Sequence, residues 1–176
     1  MKRIYLKIWK LARPYYEKGR PTDIEHIEWM MREAEVVCEN EGIDDSLLIP
    51  LVILHDVGYH KFPNADPYLL EVRKGHMIEG AKIARKILQK VKYDREKAKK
   101  IVYYVSVHDN WAFGDYEVYK DIVLRAFADL DFIWMLTPRG FEFIRRIKKL
   151  SPQEVIEFVE KKRIKERNAM DIPTTR

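Results

Sequence analysis

The chain has one cysteine, Cys38, among 176 residues. A lone thiol can neither close an internal disulfide nor build a zinc knuckle. Glycine (7) and proline (8) are sparse, which argues against an all-β protein dense in turns. No apolar run approaches the roughly 18 residues of a membrane span, so no membrane partner is expected. The opening MKRIYLKIWKLAR is too interrupted by Lys and Arg for a signal peptide. These absences lead to the expectation of a soluble, cytoplasmic protein. Histidine is scarce too, at five residues, and the places where those five fall carry the argument below.

Hydrophobic residues make up 47% and charged residues 35%, which excludes disordered and fibrous classes. The length suits one domain with a single core. The net charge of +5 suits an anionic partner such as a phosphate ester. That charge is spread along Lys/Glu-rich stretches, however. Its clearest cluster, Lys161 to Arg167, includes Glu166. Spread charge of this kind marks solvated helix faces and disfavours nucleic acid as a partner. The Lys/Glu/Ile/Tyr-rich make-up also matches a thermophile-like composition. Nothing in the sequence sets the oligomeric state.

Apolar spacing predicts a helix over 3–18, stopped by Gly19 and kinked by Pro14. Thr22-Asp23-Ile24-Glu25 reads as a capping box opening a helix to about Asn40, closed by Gly42. Asp45 or Ser46 is expected to cap the run LLIPLVILHD. Periodicity leaves that run open between helix and buried strand, and its helical neighbours favour helix. Gly58 to Ala65 reads as a loop, and Asp66-Pro67 as a cap with proline at the first helical position. Further helices are expected over about 76–91, from the Asp94 cap to about His108, and over about 121–136. Pro138 and Gly140 are expected to break the last of these before a short helix at 141–149. Ser151-Pro152-Gln153-Glu154 reads as a second capping box, and the tail 171–176 as loose. The fold class is all-α: one domain spanning 1–176, a single helical bundle.

His55-Asp56 ends the most hydrophobic segment of the protein. A carboxylate there is costly to bury unless it is paired or holds a metal. Alone, the pair reads equally as a helix end whose His bonds the last carbonyls. The wider pattern is more specific. His26 stands 29 residues before His55, His76 stands 20 after Asp56, and His108 a further 32 on. Asp129 and Asp131 follow in another apolar helix. The motifs EHIEWMMREA, LVILHDVGY, GHMIEGAKIARKIL, VYYVSVHDN and ADLDFIWMLTPRGF, in that order, resemble the HD superfamily of metal-dependent phosphohydrolases. The resemblance covers residues 22–140, with 141–170 as additional C-terminal helices.

It implies a mixed imidazole–carboxylate site suited to one or two divalent transition metals, Mn, Fe, Co, Ni or Zn. His26, His55, Asp56 and a late aspartate would hold one metal. His76 and His108 would complete a second bridged by Asp56, or bind substrate phosphate. Asp129 and Asp131 project about 200° apart on a helix, so one alone can face the site. Asp131 shares its face with Leu124, Phe127, Ala128, Trp134 and Met135, whereas Asp129 has Arg125 at i−4 as an ion-pair partner. That favours Asp131, with Asp129 as the alternative. Asp109 stands where two-metal relatives often carry a second His, and would act as a proton acceptor or a cap. Lys61, Arg73, Lys74 and Arg125 are candidate phosphate contacts, and Trp111 a candidate wall of the substrate pocket. The implied activity is hydrolysis of a phosphate ester, a nucleotide or related small molecule, by a metal-activated water. The resemblance also admits a mixed-valent di-iron oxygenase or a non-catalytic regulatory module.

Overall fold

The computed structural model describes the backbone of residues 1–170 and the side chains of 1–161. The tail 171–176 and most of the basic cluster beyond Lys161 lie outside the described side chains. Eight α-helices follow one another: α1 (Arg3–Lys18), α2 (Asp23–Glu41), α3 (Asp45–Leu54), α4 (Leu70–Lys90), α5 (Arg95–Val107), α6 (Ile122–Trp134), α7 (Pro138–Lys148) and α8 (Pro152–Met170). Short 3₁₀ turns occupy Val57–Lys61, Asn110–Phe113 and Glu117–Lys120. Among the described residues there is no strand. The chain is an all-α, single-domain bundle.

α3 is the axis of the bundle. Every residue from Leu47 to Leu54 is buried, because α1, α2, α5 and α6 all pack on this one helix. A helix enclosed on all sides has no polar stripe, which is why its sequence lacks a helical period. Pro50 has no N–H to give the Ser46 carbonyl one turn back. The Tyr93 hydroxyl donates to that carbonyl instead, at 2.8 Å. α1 docks through Tyr5, Ile8, Ala12 and Tyr16 and runs unbroken through Pro14. The Tyr16 hydroxyl donates to the Ile53 carbonyl at 2.9 Å, tying α1 to the last turn of α3. A second, smaller core of Trp134, Met135, Ile144, Val155 and Val159 holds α7 and α8 against the end of α6.

Several helix ends differ from expectation. Thr22 makes no capping bond. The Asp23 and Ile24 N–H groups donate to the Arg20 and Pro21 carbonyls, so the turn already satisfies one donor, the Ile24 N–H, that a cap could serve. Asp23 turns inward and pairs with Arg20 at 2.9 Å. Asp44, not Asp45 or Ser46, caps α3 by accepting from the Ser46 N–H at 2.9 Å. Asp45 instead accepts from the Tyr5 hydroxyl at 2.7 Å. Asp66-Pro67 opens no helix: Asp66 accepts from the Tyr68 N–H at 2.8 Å in a turn, and α4 begins at Leu70. α6 does end before Pro138, at Trp134, but Pro138 itself starts α7 ahead of the expected 141, with Thr137 as cap, as suits proline at a first helical position. The Ser151–Glu154 box does form, at 2.7 and 3.4 Å.

One glycine sets the approach of the site-bearing elements. A Cβ on Gly58 would lie 1.9 Å from the His76 carbonyl oxygen and 2.7 Å from the Gly80 nitrogen. Only a residue without a side chain lets the turn after Asp56 lie flat on α4. That contact places Asp56 opposite His76.

Candidate metal centre

Five elements send a polar side chain to one end of the bundle. His26 comes from α2, Asp131 from α6 and His76 from α4. His55 and His108 are the C-terminal cap residues of α3 and α5, and Asp56 and Asp109 follow them. His55, His76 and His108 are 1%, 0% and 2% exposed, so the imidazoles sit inside the protein.

Two groupings emerge, each with ligand-type atoms within 4.8 Å of one another: His26, His55 and Asp131, and Asp56, His76 and His108. In the first, Asp131 Oδ1 is 3.1 Å from His26 Nε2 and 4.0 Å from His55 Nε2. In the second, Asp56 Oδ1 is 3.4 Å from His76 Nε2 and 3.5 Å from His108 Nε2. The other Asp56 oxygen, Oδ2, is 3.4 Å from His55 Nε2. Asp56 therefore faces both groupings, one oxygen to each. A family model described as HD domain matches residues 23–133. The chain belongs to the HD domain family. Comparisons with curated proteins and with solved structures gave no match.

The donor set of this HD domain has the chemistry a metal needs. His55 Nδ1 lies 2.9 Å from the Val52 carbonyl and His108 Nδ1 lies 2.9 Å from the Val105 carbonyl. A carbonyl accepts only, so each Nδ1 carries a hydrogen, and in the neutral ring Nε2 keeps its lone pair for the interior. Capping a helix end and aiming a donor at an ion are thus done by the same imidazole. The buried Nε2 atoms of His26 and His55 make no hydrogen bond of good geometry, although the Asp131 and Asp56 carboxylates lie 3.1 and 3.4 Å away. Orphaned buried nitrogens are costly unless something coordinates them. Aromatic rings fix the imidazole planes: Tyr59 stacks on His76 at 4.0 Å, Trp134 meets His26 edge-on at 4.4 Å, and Phe127 abuts His55 at 4.9 Å.

Charge sorts the histidines. Burial pushes His55 down, but Asp56 and Asp131 outweigh it and hold it up to about 9. Burial pushes His76 down to about 4 against the pull of Asp56. Asp56 and Asp131 are held below the usual carboxylate range, the imidazoles overcoming the cost of burial. A pH signature follows for metal-stripped protein. Unfolded histidines titrate near ~6.5. Below that, unfolded His76 takes a proton the folded form refuses, so stability is lost as pH falls toward about 4. Above it, folded His55 keeps a proton the unfolded form releases, so stability is lost as pH rises through about 9. Urea titrations in chelator should therefore give a maximum near pH ~6.5, and a flat profile across this range would contradict the electrostatics.

The site opens into a cleft of about 80 Å³. Arg73 and Asp109 meet there at 2.6 Å, and the second Asp109 oxygen accepts from the Trp111 indole at 3.1 Å. Both Asp109 oxygens are thus engaged. Lys61 is exposed at the end of its turn, and Lys74 is exposed on α4 with its ammonium over the Phe113 ring. Asp129 is exposed and Arg125 half-buried on α6, and neither they nor the two lysines line the cleft. Sequence reasoning missed Arg20, Asp23 and Tyr59, which do line it. Asp23 carried a usable signal, since it stands one turn before His26 on the same face. Arg20 carried none. Its guanidinium lies 4.1 Å over the Tyr59 ring, a contact made possible by the close approach of Gly19 to the His60 backbone. Among the described residues no helix is long and apolar enough to cross a membrane.

Proposed function

We propose that this HD domain is a cytoplasmic, metal-dependent phosphohydrolase acting on a phosphate ester, a nucleotide or related small molecule. His26, His55, Asp131 and Asp56 hold one divalent transition metal, and Asp56, His76 and His108 a second. The observation that carries this reading is Asp56, whose two oxygens face the two groupings at 3.4 to 3.5 Å. Bound there, the ions would lower the pKa of a coordinated water and take up charge on the phosphoryl oxygens.

Charge balance supports a phosphate substrate. The cleft is lined by Asp23, Asp56, Asp109 and Asp131 against Arg20 and Arg73. Its formal balance is 4 − 2, two negative charges in excess. Two divalent cations would leave a surplus of about two positive charges, which matches a phosphomonoester dianion. Arg73 presents its guanidinium to that anion, and Asp109 fixes its orientation from behind, being ionised and bonded on both oxygens. Arg20, clamped by Asp23 and Tyr59, presents a second guanidinium from across the cleft.

The test is metal content by mass spectrometry and an anomalous-scattering map, together with a screen of phosphate esters under Mn, Fe, Co, Ni and Zn. One or two ions in the cleft and metal-dependent phosphate release are expected. Bound metal without release would end the hydrolase reading. Bound iron with a mixed-valent paramagnetic signal and no release would replace it with an oxygenase, and failure to bind any metal with a regulatory module.

A further inference from the structure

A cleft of about 80 Å³ is well below the roughly 300 Å³ that encloses even a small organic ligand. It has room for ions, water and a phosphoryl group, and none for the alcohol to which the phosphate is esterified. The cleft does not end there. Arg20, Pro67, Trp134 and Phe143 line both it and a second groove of about 960 Å³, which runs between the start of α2, the 63–67 loop and α7. A substrate with its phosphate in the cleft has to place its remainder across this shared wall.

The chemistry of the groove differs from that of the cleft. Its charged residues are Arg20, Arg139 and Arg146 against Glu25, Asp66 and Glu142, three of each sign. Two of the arginines pair within the groove and the third pairs with a cleft residue. Arg146 Nε donates to Glu142 at 2.8 Å, Arg139 Nε faces Glu25 at 3.8 Å, and Arg20 is held by Asp23. An extended anion would find no net positive potential here. Between these pairs the walls are apolar: Ile24, Pro63, Ile147, and the Trp134 and Phe143 rings, whose centroids are 5.5 Å apart. The two rings meet edge to face and pack on each other, so together they give the groove an apolar flank, which suits an uncharged group.

We infer that this groove is the leaving-group site, and that the substrate is a phosphomonoester of a bulky, uncharged, largely apolar alcohol rather than a polyphosphate or a nucleic acid. The inference rests on the hydrolase reading for the word substrate. The groove's preference for a bulky, uncharged group stands on its own geometry.

The experiment compares alkyl phosphates of similar intrinsic reactivity: 2-(1-naphthyl)ethyl phosphate, ethyl phosphate and phosphoglycolate. The naphthyl ester should show kcat/KM at least about tenfold above the other two, with the difference mainly in KM, because binding remote from the reacting atoms is uniform binding. Ile147 is 40% exposed, so Ile147→Glu places a carboxylate in the groove with little strain on the core. That variant should bring the preference ratio back toward one. Direct binding of 2-(1-naphthyl)ethanol by calorimetry should weaken at least about tenfold in the same variant. Hydrolysis of all three esters at equal efficiency, or a preference for phosphoglycolate, would overturn the groove assignment and leave the hydrolase reading intact. Hydrolysis of none would end the hydrolase reading, and the alcohol's binding would then decide the groove. One-to-one binding that Ile147→Glu disrupts upholds it, and no binding, or binding indifferent to that change, overturns it.

Discussion

Asp56→Ala should give a folded protein that retains no metal and releases no phosphate. Asp56 is the one carboxylate whose oxygens approach His55 on one side and His76 and His108 on the other, at 3.4 to 3.5 Å. Its removal takes a ligand from each grouping at once and leaves only imidazoles around the second. Activity is expected to fall at least about a thousandfold, ~4 kcal/mol of transition-state stabilisation. Thermal unfolding supplies a second readout. An ion that binds only the folded chain stabilises it by about 4 kcal/mol when present at ~1,000 times its dissociation constant. The parent protein should therefore melt lower in chelator, and Asp56→Ala should melt alike with and without it. The variant also removes the first of the two carboxylates that hold His55 up to about 9. Its chelated form should accordingly lose less stability at alkaline pH than the chelated parent. Full metal content in Asp56→Ala would remove the observation on which the proposed function stands.

The sequence made the ligand-type residues legible because they are rare. Five histidines in 176 residues, placed at the ends and on the apolar faces of successive helices, leave few alternative constellations. The helical state of residues 45–54 was harder to read. Burial on every side erased the period that marks a helix, and only the neighbouring helices argued for it. Cap positions slipped by a residue or failed outright where tertiary contacts outbid local chemistry. Asp45 was drawn off by Tyr5 and Lys2 and left the cap to Asp44, while Thr22 makes no cap bond at all. Distance along the chain hid the rest. Arg20 enters the cleft from the α1–α2 connection and Phe143 from α7, and no local pattern announces either. The five cationic and indole candidates, Arg125 on α6 among them and outside the cleft, divided in a way sequence proximity could not foresee. Arg73 and Trp111 point into the cleft, whereas Lys61 and Lys74 point to solvent.

The two aspartates of α6 give the sharpest separation. Asp131→Asn should cost most of the metal affinity and nearly all hydrolysis, while the fold survives. Asn keeps the shape of the carboxylate and loses the charge with which Asp131, whose Oδ1 lies 3.1 and 4.0 Å from the His26 and His55 nitrogens, would hold an ion. The chelated variant should also show His55 less easily protonated, since Asp131 is the second carboxylate holding its pKa up. Asp129→Asn changes an exposed residue on α6, and such a change is worth less than about 1 kcal/mol. Its metal content and phosphate release should match the parent. Metal titrations and initial rates on the two variants decide the matter. A dead Asp129→Asn beside an active Asp131→Asn would shift the ligand by two positions along the helix. It would also bring Arg125, one turn earlier, next to the ion as a phosphate clamp. If neither substitution alters metal content or rate, α6 supplies no ligand. The first grouping would then be reduced to His26 and His55 with one oxygen of Asp56, the three protein donors of an open site with no donor to spare.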